Sequence, residues 1–362
     1  MMDKGVADGV FPGGALVVTV HGKLAHLSFH GRSSLEPPGG PVDEATCFDL
    51  ASLTKVLVTT PLVLLSIQHG RLRLEDPVHR FLPDYAGAGR ETVTLRMLLD
   101  HSSGLPAWRP YYERVASSEG GAYLATARGQ EAVRQLAAAE ALEAEPGNRM
   151  RYSDIGFILL DWILERVNGR PIDVLFREWL AGPLRLGNVF FVDLKSPARA
   201  AQTRQGRTFA ATEHSSWRGR TLIGEVHDDN TYAMGGVSGQ AGLFGTAEDV
   251  AVLAETWLDS FLHEGRCFES SLVREFWQKT SLPGSTYALG FDTPSPQASQ
   301  AGNRFGPKTV GHLGFTGTSL WIDPDRELSV VLLTNRVHPT RRNETIKQFR
   351  PALHERIATL WR

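Results

Sequence analysis

Ser52-Leu53-Thr54-Lys55 sets a hydroxyl and an amine three residues apart. Residues i and i+3 share one face of a helix, so this spacing brings Lys55 Nζ toward Ser52 Oγ. A serine hydroxyl is a weak nucleophile until a base takes its proton. The positive end of a helix dipole disfavours a second cation and so eases proton loss from Lys55. Of the seven lysines, only Lys55 follows a serine at this distance. An N-cap serine beside a solvated lysine is the other reading of the tetrapeptide. The apolar residues that follow oppose it, because the amine would enter a buried helix without a visible partner. Tyr152-Ser153-Asp154 offers a phenol, a hydroxyl and a carboxylate directly ahead of an apolar helix. Ser153 or Asp154 also suits the N-cap of that helix. His312-Leu313-Gly314-Phe315-Thr316-Gly317 joins a histidine to two glycines that let a ligand or another backbone approach closely. Alone, it also reads as a turn. His227-Asp228-Asp229 has metal-ligating residue types, but a loop carrying site-lining polar groups is the preferred reading.

Elements that would position these groups can be traced in the apolar pattern. Gly14 to Val20 and Leu24 to His30 flank His21-Gly22-Lys23 and predict a hairpin. Ser319 to Asp323 and Leu328 to Thr334, joined by Pro324-Asp325-Arg326, predict a second one. Helices are predicted over Ser52–His69, Thr94–Asp100, Gln130–Ala144, Ile155–Val167 and Ala247–Leu262. Thr246 and Asp249 resemble a capping box at the start of the last of these. Glu344 to Leu360 has helical spacing that Pro351 interrupts. Residues 198–220 and 293–308 read as long loops. A lone hairpin is marginal in water, so the two end pairs belong most simply to one antiparallel sheet.

Composition narrows the function. The chain has 362 residues, which at about 150 per domain suggests two domains. Thirty-eight basic residues face 40 acidic ones, so no basic field points to nucleic acid. Cys47 and Cys267 are too few for a disulfide framework and read as two free thiols. The apolar run from Val56 to Ile67, broken by Thr59, Thr60 and Pro61, is too short to span a bilayer. Met1 to Val6 lacks a signal pattern, so a cytoplasmic location is expected, or a periplasmic or secreted one if a leader has been removed. No Gly-x-Ser-x-Gly, P-loop ending or His-Glu-x-x-His occurs.

The order Ser-x-x-Lys, then Tyr-Ser-Asp, then His-x-Gly resembles the serine β-lactamase and penicillin-binding-protein superfamily. The resemblance is to the branch holding class C β-lactamases, DD-carboxypeptidases, D-aminopeptidases and related esterases. Leu98 to Pro106 is similar to that branch's LLTHTSGLP segment, and Gly311 to Thr318 to its GHTGFTGT segment. Val226 to Asn230, with the glycine-rich stretch Gly235 to Gly245, resembles a further segment of many members. The resemblance implies an α+β fold, with an antiparallel sheet flanked by helices plus a mostly helical region. Residues 1–75 and 240–362 would form a discontinuous sheet domain and 76–239 the helical one, with the active site between them. It implies that Ser52 is the acyl-forming nucleophile and that Lys55 and Tyr152 share the base and acid work. The N–H groups of Ser52 and Phe315 would form an oxyanion hole near Gly314. Substrates would be small esters or amides, D-alanyl peptides among them, with no metal or organic cofactor. A binding protein that acylates with little turnover and an inactive scaffold are the alternatives. Two departures matter. Asp154 stands where family β-lactamases have asparagine; its carboxylate can only accept, and it would stabilise a charged Lys55, which points to Tyr152 as base. His312 replaces a lysine and is a weaker anchor for a substrate carboxylate. Both weaken β-lactam hydrolysis more than serine acyl transfer. His227 and Asp228 are expected to line the site.

Overall fold

The two hairpins at the ends of the chain are neighbours in one sheet. The computed structural model describes residues 1–361. Its strands are β1 (Gly13–Val20), β2 (Lys23–Gly31), β3 (Thr46–Asp49), β4 (Val189–Phe191), β5 (Thr208–Phe209), β6 (His214–Ser215), β7 (Arg220–Thr221), β8 (Leu243–Gly245), β9 (Val310–Leu313), β10 (Ser319–Asp323) and β11 (Leu328–Thr334). The main sheet is antiparallel, in the order β2-β1-β11-β10-β9. First and last strands of the chain pair in register, with Val17 opposite Val331 and Ala15 opposite Leu333. His21 and Gly22 close the first hairpin with φ of 50° and 67°, the left-handed pair that matches strand twist.

Both faces of this sheet are covered, which is why β1 and β11 read as continuous apolar runs rather than alternations. Ala15, Val17, Val331 and Leu333 face the main core, with Val250, Leu253 and Trp257 of the helix Ala247–Leu262. Leu16, Val18, Val330 and Leu332 face the opposite way, onto Ile346, Leu353 and Ile357 of the C-terminal helix Ile346–Leu360. A second sheet, β4-β8-β3-β5, brings β3 to the start of the Ser52 segment. The mixed α+β architecture and the shared sheet follow the sequence reading. Cys47 and Cys267 are free thiols. No helix among the described residues is long and apolar enough to cross a membrane.

Several local expectations are corrected. The helix predicted over Gln130–Ala144 runs Ala127–Ala138, because Thr126 caps its start and Arg90 Nη1 takes the Ala138 carbonyl at 2.7 Å. Residues 198–220 are not one loop. Ser196 caps a helix over Pro197–Arg204, and β5 and β6 follow. Thr246 makes no side-chain cap; the Asp249 carboxylate instead accepts the Asn188 N–H at 2.6 Å. The C-terminal helix runs through Pro351, and the Lys347 carbonyl, four residues earlier, accepts Gln300 Nε2 at 3.1 Å.

Leu333 is fully buried at the centre of the sheet. Leu333→Ala is expected to cost about 2–5 kcal/mol, read as a fall in urea midpoint. Leu24→Ala, on the exposed edge strand, should stay within about 0.5 kcal/mol.

Candidate active site

Ser52 sits three residues beyond the end of β3, on a turn held from several sides. Ala51 adopts a positive φ of 48°, and its N–H donates to Asp49 Oδ1 at 2.8 Å. Asp49 Oδ2 accepts the His227 N–H at 2.7 Å. Burial pushes the Asp49 carboxyl above the usual carboxylate range, against the pull of these two donors. Thr316 and Thr318 hydroxyls donate to the Asp49 and Leu50 carbonyls at 2.7 and 3.1 Å. The Gly314–Thr318 turn is thereby fastened to the serine turn. A side chain at Gly314 would run into Thr318 Oγ1 and the Leu50 carbonyl, so only glycine fits.

Lys55 opens a π-helical turn, Lys55–Thr59, that continues into the α-helix Thr60–Gln68. Its ammonium is fully buried and has three partners. Nζ lies 2.7 Å from Asp154 Oδ1, 2.8 Å from the Gln240 carbonyl and 3.1 Å from Ser52 Oγ. The glycine-rich stretch supplies the second of these: Gly239 packs against Thr59, whose hydroxyl holds the Gly239 carbonyl at 2.6 Å. The amine that lacked a visible partner in the sequence thus finds them in two distant segments.

Tyr152 reaches the site because residues 98–107 cradle its backbone. His101 Nδ1 accepts the Ser153 N–H at 3.1 Å, and Ser153 Oγ donates to the Pro106 carbonyl at 2.7 Å. Ser153 is also the N-cap of the helix Asp154–Asn168, so the structural and chemical readings of Tyr-Ser-Asp hold together. Tyr152 Oη donates to Ser52 Oγ at 2.9 Å. Burial, then the Asp154 charge and the nearby Tyr287, push this phenol well above its ordinary value. The resting Tyr152 is therefore a neutral donor to Ser52 Oγ.

His312 is buried. Its Nδ1 donates to the Leu313 carbonyl at 2.8 Å, which leaves Nε2 as a bare acceptor without a protein partner. Burial and the Lys55 charge push its pKa down to about 3. It is thus a neutral acceptor rather than a weak cation. His227 and Asp228 are reached as expected, but both are tied up. His227 Nε2 meets Glu213 Oε2 at 3.1 Å, and its ring stacks on Phe315 with centroids 5.5 Å apart. Asp228 caps the short helix Asp229–Ala233 and accepts Gln240 Nε2 at 2.9 Å. Trp108 lines the cavity, whereas Trp217 packs 5.0 Å from Tyr112 outside it.

These groups open onto a cavity of about 600 Å³. Among the described residues, neither the Ser52 nor the Phe315 N–H donates to any protein group. Asp49, Gln240, Tyr287, Asp292, Arg336 and Arg350 escaped the sequence reading. Burial raises Asp292 to about 6. Tyr287 and Asp292 come from an unpatterned stretch that held no signal. Arg350 did carry one, a charge on the apolar face between Ile346 and Leu353.

Residues 1–353 match the family described as Beta-lactamase, and the chain belongs to it. The chain is 31% identical over 361 residues to an N-acetylmuramyl-L-alanine amidase of Bacillus subtilis (strain 168), covering 93% of this chain and 80% of that protein. It is 34% identical over 308 residues to a putative D-alanyl-D-alanine carboxypeptidase of Escherichia coli (strain K12), covering 81% of this chain and 70% of that protein. Its fold is shared with EstCE1, a hydrolase with promiscuous acyltransferase activity, at a TM-score of 0.70, 24% identity and coverage of 97% and 96%. It is shared too with a penicillin-binding protein homologue from Pyrococcus abyssi, at a TM-score of 0.73, 21% identity and coverage of 97% and 75%. The protein is a serine hydrolase of the β-lactamase family.

The His312 environment can be checked directly. Imidazole ¹⁵N shifts should show one neutral tautomer, protonated at Nδ1, that does not titrate between about pH 5 and 8. A midpoint inside that window would contradict the buried, acceptor-only geometry.

Proposed function

We propose that Ser52 is the acyl-accepting nucleophile and that the substrates are small amides or esters of peptidoglycan-type chemistry. The observation that carries this is the convergence of two proton carriers on one hydroxyl, with Tyr152 Oη at 2.9 Å and Lys55 Nζ at 3.1 Å from Ser52 Oγ. Residues 1–75 with 240–362 would contribute Ser52, Lys55, Gln240, His312 and Phe315. Residues 76–239 would contribute Tyr152, Asp154, His227 and Asp228 across the cleft.

The competent form is the one in which the Tyr152–Lys55 pair has lost one proton. Whichever atom gave it up, a base then lies within reach of the hydroxyl, and the loss belongs to the pair. As Ser52 Oγ attacks, its proton passes to that pair and the acyl oxygen becomes anionic. The unpaired N–H groups of Ser52 and Phe315 would receive that charge. When the intermediate collapses, Tyr152 returns the proton to the leaving nitrogen or oxygen. Water repeats the sequence on the acyl-enzyme.

Substrate class is supported from two directions. Relatives at 31% and 34% identity carry the names amidase and carboxypeptidase. His312 lines the cavity as a neutral imidazole where a lysine would hold a carboxylate, so it gives a substrate carboxylate no cation at that position. β-lactams and C-terminal D-alanyl peptides both bring a carboxylate and fit this wall less well, which favours an internal amide or an ester over a carboxypeptidase substrate.

Asp154→Asn removes a charge that holds the Tyr152 proton on, so the alkaline rise of kcat/KM should begin at lower pH than in the parent. An unchanged pH–rate profile would refute this account of the base.

Incubation with a chromogenic ester and with a labelled penicillin, against Ser52→Ala, separates the broader readings. Ester turnover that disappears in Ser52→Ala is expected. Stable penicillin labelling without turnover would identify an acylated binder instead, and neither signal would leave a scaffold.

A further inference from the structure

Two arginines grip the carbonyl side of the Gly314–Thr318 turn, which lines the same cavity as Ser52 and whose Phe315 N–H has no protein acceptor among the described residues. Arg350 Nη2 donates to the Gly314 carbonyl at 2.8 Å and to the Thr318 carbonyl at 2.7 Å. Arg336 donates to the Phe315 carbonyl from Nε at 2.9 Å and Nη2 at 2.7 Å. Its Nη1 takes the Arg341 and Asn343 carbonyls at 3.0 and 2.7 Å. Arg350 and Arg336 are 5% and 6% exposed, yet among the described residues neither forms a salt bridge with a carboxylate. Glu344, the nearby acid, is paired with Lys347 at 2.8 Å. Arg350 Nε is buried and has no hydrogen-bond partner. A buried guanidinium served only by carbonyl dipoles is costly, and replacing such a charge with apolar groups often stabilises a protein. Packing alone does not account for Arg350.

Its position suggests what the charge does. The Gly314 carbonyl and the Phe315 N–H belong to one planar amide and point in opposite directions. A cation bonded to the oxygen of that amide draws electron density away from the nitrogen and makes its N–H a stronger donor, because linked hydrogen bonds polarise one another. The same bond fixes the plane of the amide, so the N–H keeps its aim. Arg350 also lines the cavity, and its charge is not cancelled by a neighbouring carboxylate.

The geometry points to Arg350 as a positioning residue for the oxyanion site, which orients and polarises the Gly314–Phe315 amide so that the Phe315 N–H binds the anionic oxygen of the tetrahedral intermediate. This rests on the reading of Ser52 as the nucleophile and of the Ser52 and Phe315 amides as the oxyanion donors. Burial and the Arg336 charge push the Arg350 guanidinium down to about 9, still above neutrality, so it remains a cation at pH 7. Its contribution arises when charge develops on the acyl oxygen, so it belongs to kcat and not to substrate affinity.

Arg350→Gln keeps a neutral donor and removes the charge. Turnover of a neutral ester should fall about 10-fold or more with KM nearly unchanged, since loss of a whole oxyanion donor costs about 10²–10³. Affinity for phenylboronic acid, whose tetrahedral adduct on a serine carries the anionic oxygen, should fall by a similar factor. Arg350→Lys should lie between Arg350→Gln and the parent, and it serves as the test if Arg350→Gln does not fold. Parent-like kcat and boronate affinity in the folded variant would overturn the inference. So would a change confined to KM for carboxylate-bearing esters, which would make Arg350 a substrate-anion contact. Ester turnover that survives in Ser52→Ala would sink the underlying nucleophile reading instead, so the two failures can be told apart.

Discussion

A single buried ammonium organises this site. Lys55 Nζ has no exposed surface, and an unpaired charge in that position would cost more than the fold could tolerate. Its partners come from three places: Ser52 one helical turn earlier, Asp154 at the start of the helix Asp154–Asn168, and the Gln240 carbonyl on a glycine-rich loop. Meeting the requirement of one charge therefore draws three segments together. The Ser52 hydroxyl, the phenol and the loop then share a location because Lys55 cannot be left alone. The arrangement also explains why the loop is rich in glycine. Gly239 touches the Phe157 carbonyl, Asp161 and Thr59 so closely that a side chain would hold the Gln240 carbonyl away.

The opposite wall is built by a different principle. The turn Gly314–Thr318 is held from below by threonine hydroxyls on the serine turn and from behind by guanidinium groups. One wall neutralises its cation with a carboxylate, while the other leaves its cations to carbonyl oxygens. This places positive potential where an acyl oxygen would gain charge. Between the walls His312 stays neutral, because burial and Lys55 both oppose a second cation. A neutral imidazole therefore stands where the resemblance puts a lysine cation.

Legibility in the sequence was uneven for physical reasons. The hairpins and the helix Ala247–Leu262 were readable because burial against a sheet or core leaves a periodic apolar trace. Ser52, Lys55, Tyr152 and Asp154 stood out because their spacing has chemical meaning when read together. Asp228 was located, but its service as a helix cap depends on the local turn. Tyr287 and Asp292 left no trace, since neither lies in a periodic element. That the carboxylate pairing with Lys55 also raises the Tyr152 phenol was not legible, because only distances show both effects at once.

Sequence alone was enough for the α+β class, for a sheet drawn from both ends of the chain and for serine acyl chemistry. The sheet rests on local apolar pattern, which persists whatever the rest of the chain does, while the class and the chemistry came from the resemblance of the motif order to a known family. Tertiary structure decided which groups are charged, which are neutral and which point at the same atom. It made His312 an acceptor, Tyr152 a donor and Arg350 a cation without a carboxylate. Each of these outcomes depends on desolvation and on neighbours from other segments of the chain, quantities that exist only once the polypeptide has folded.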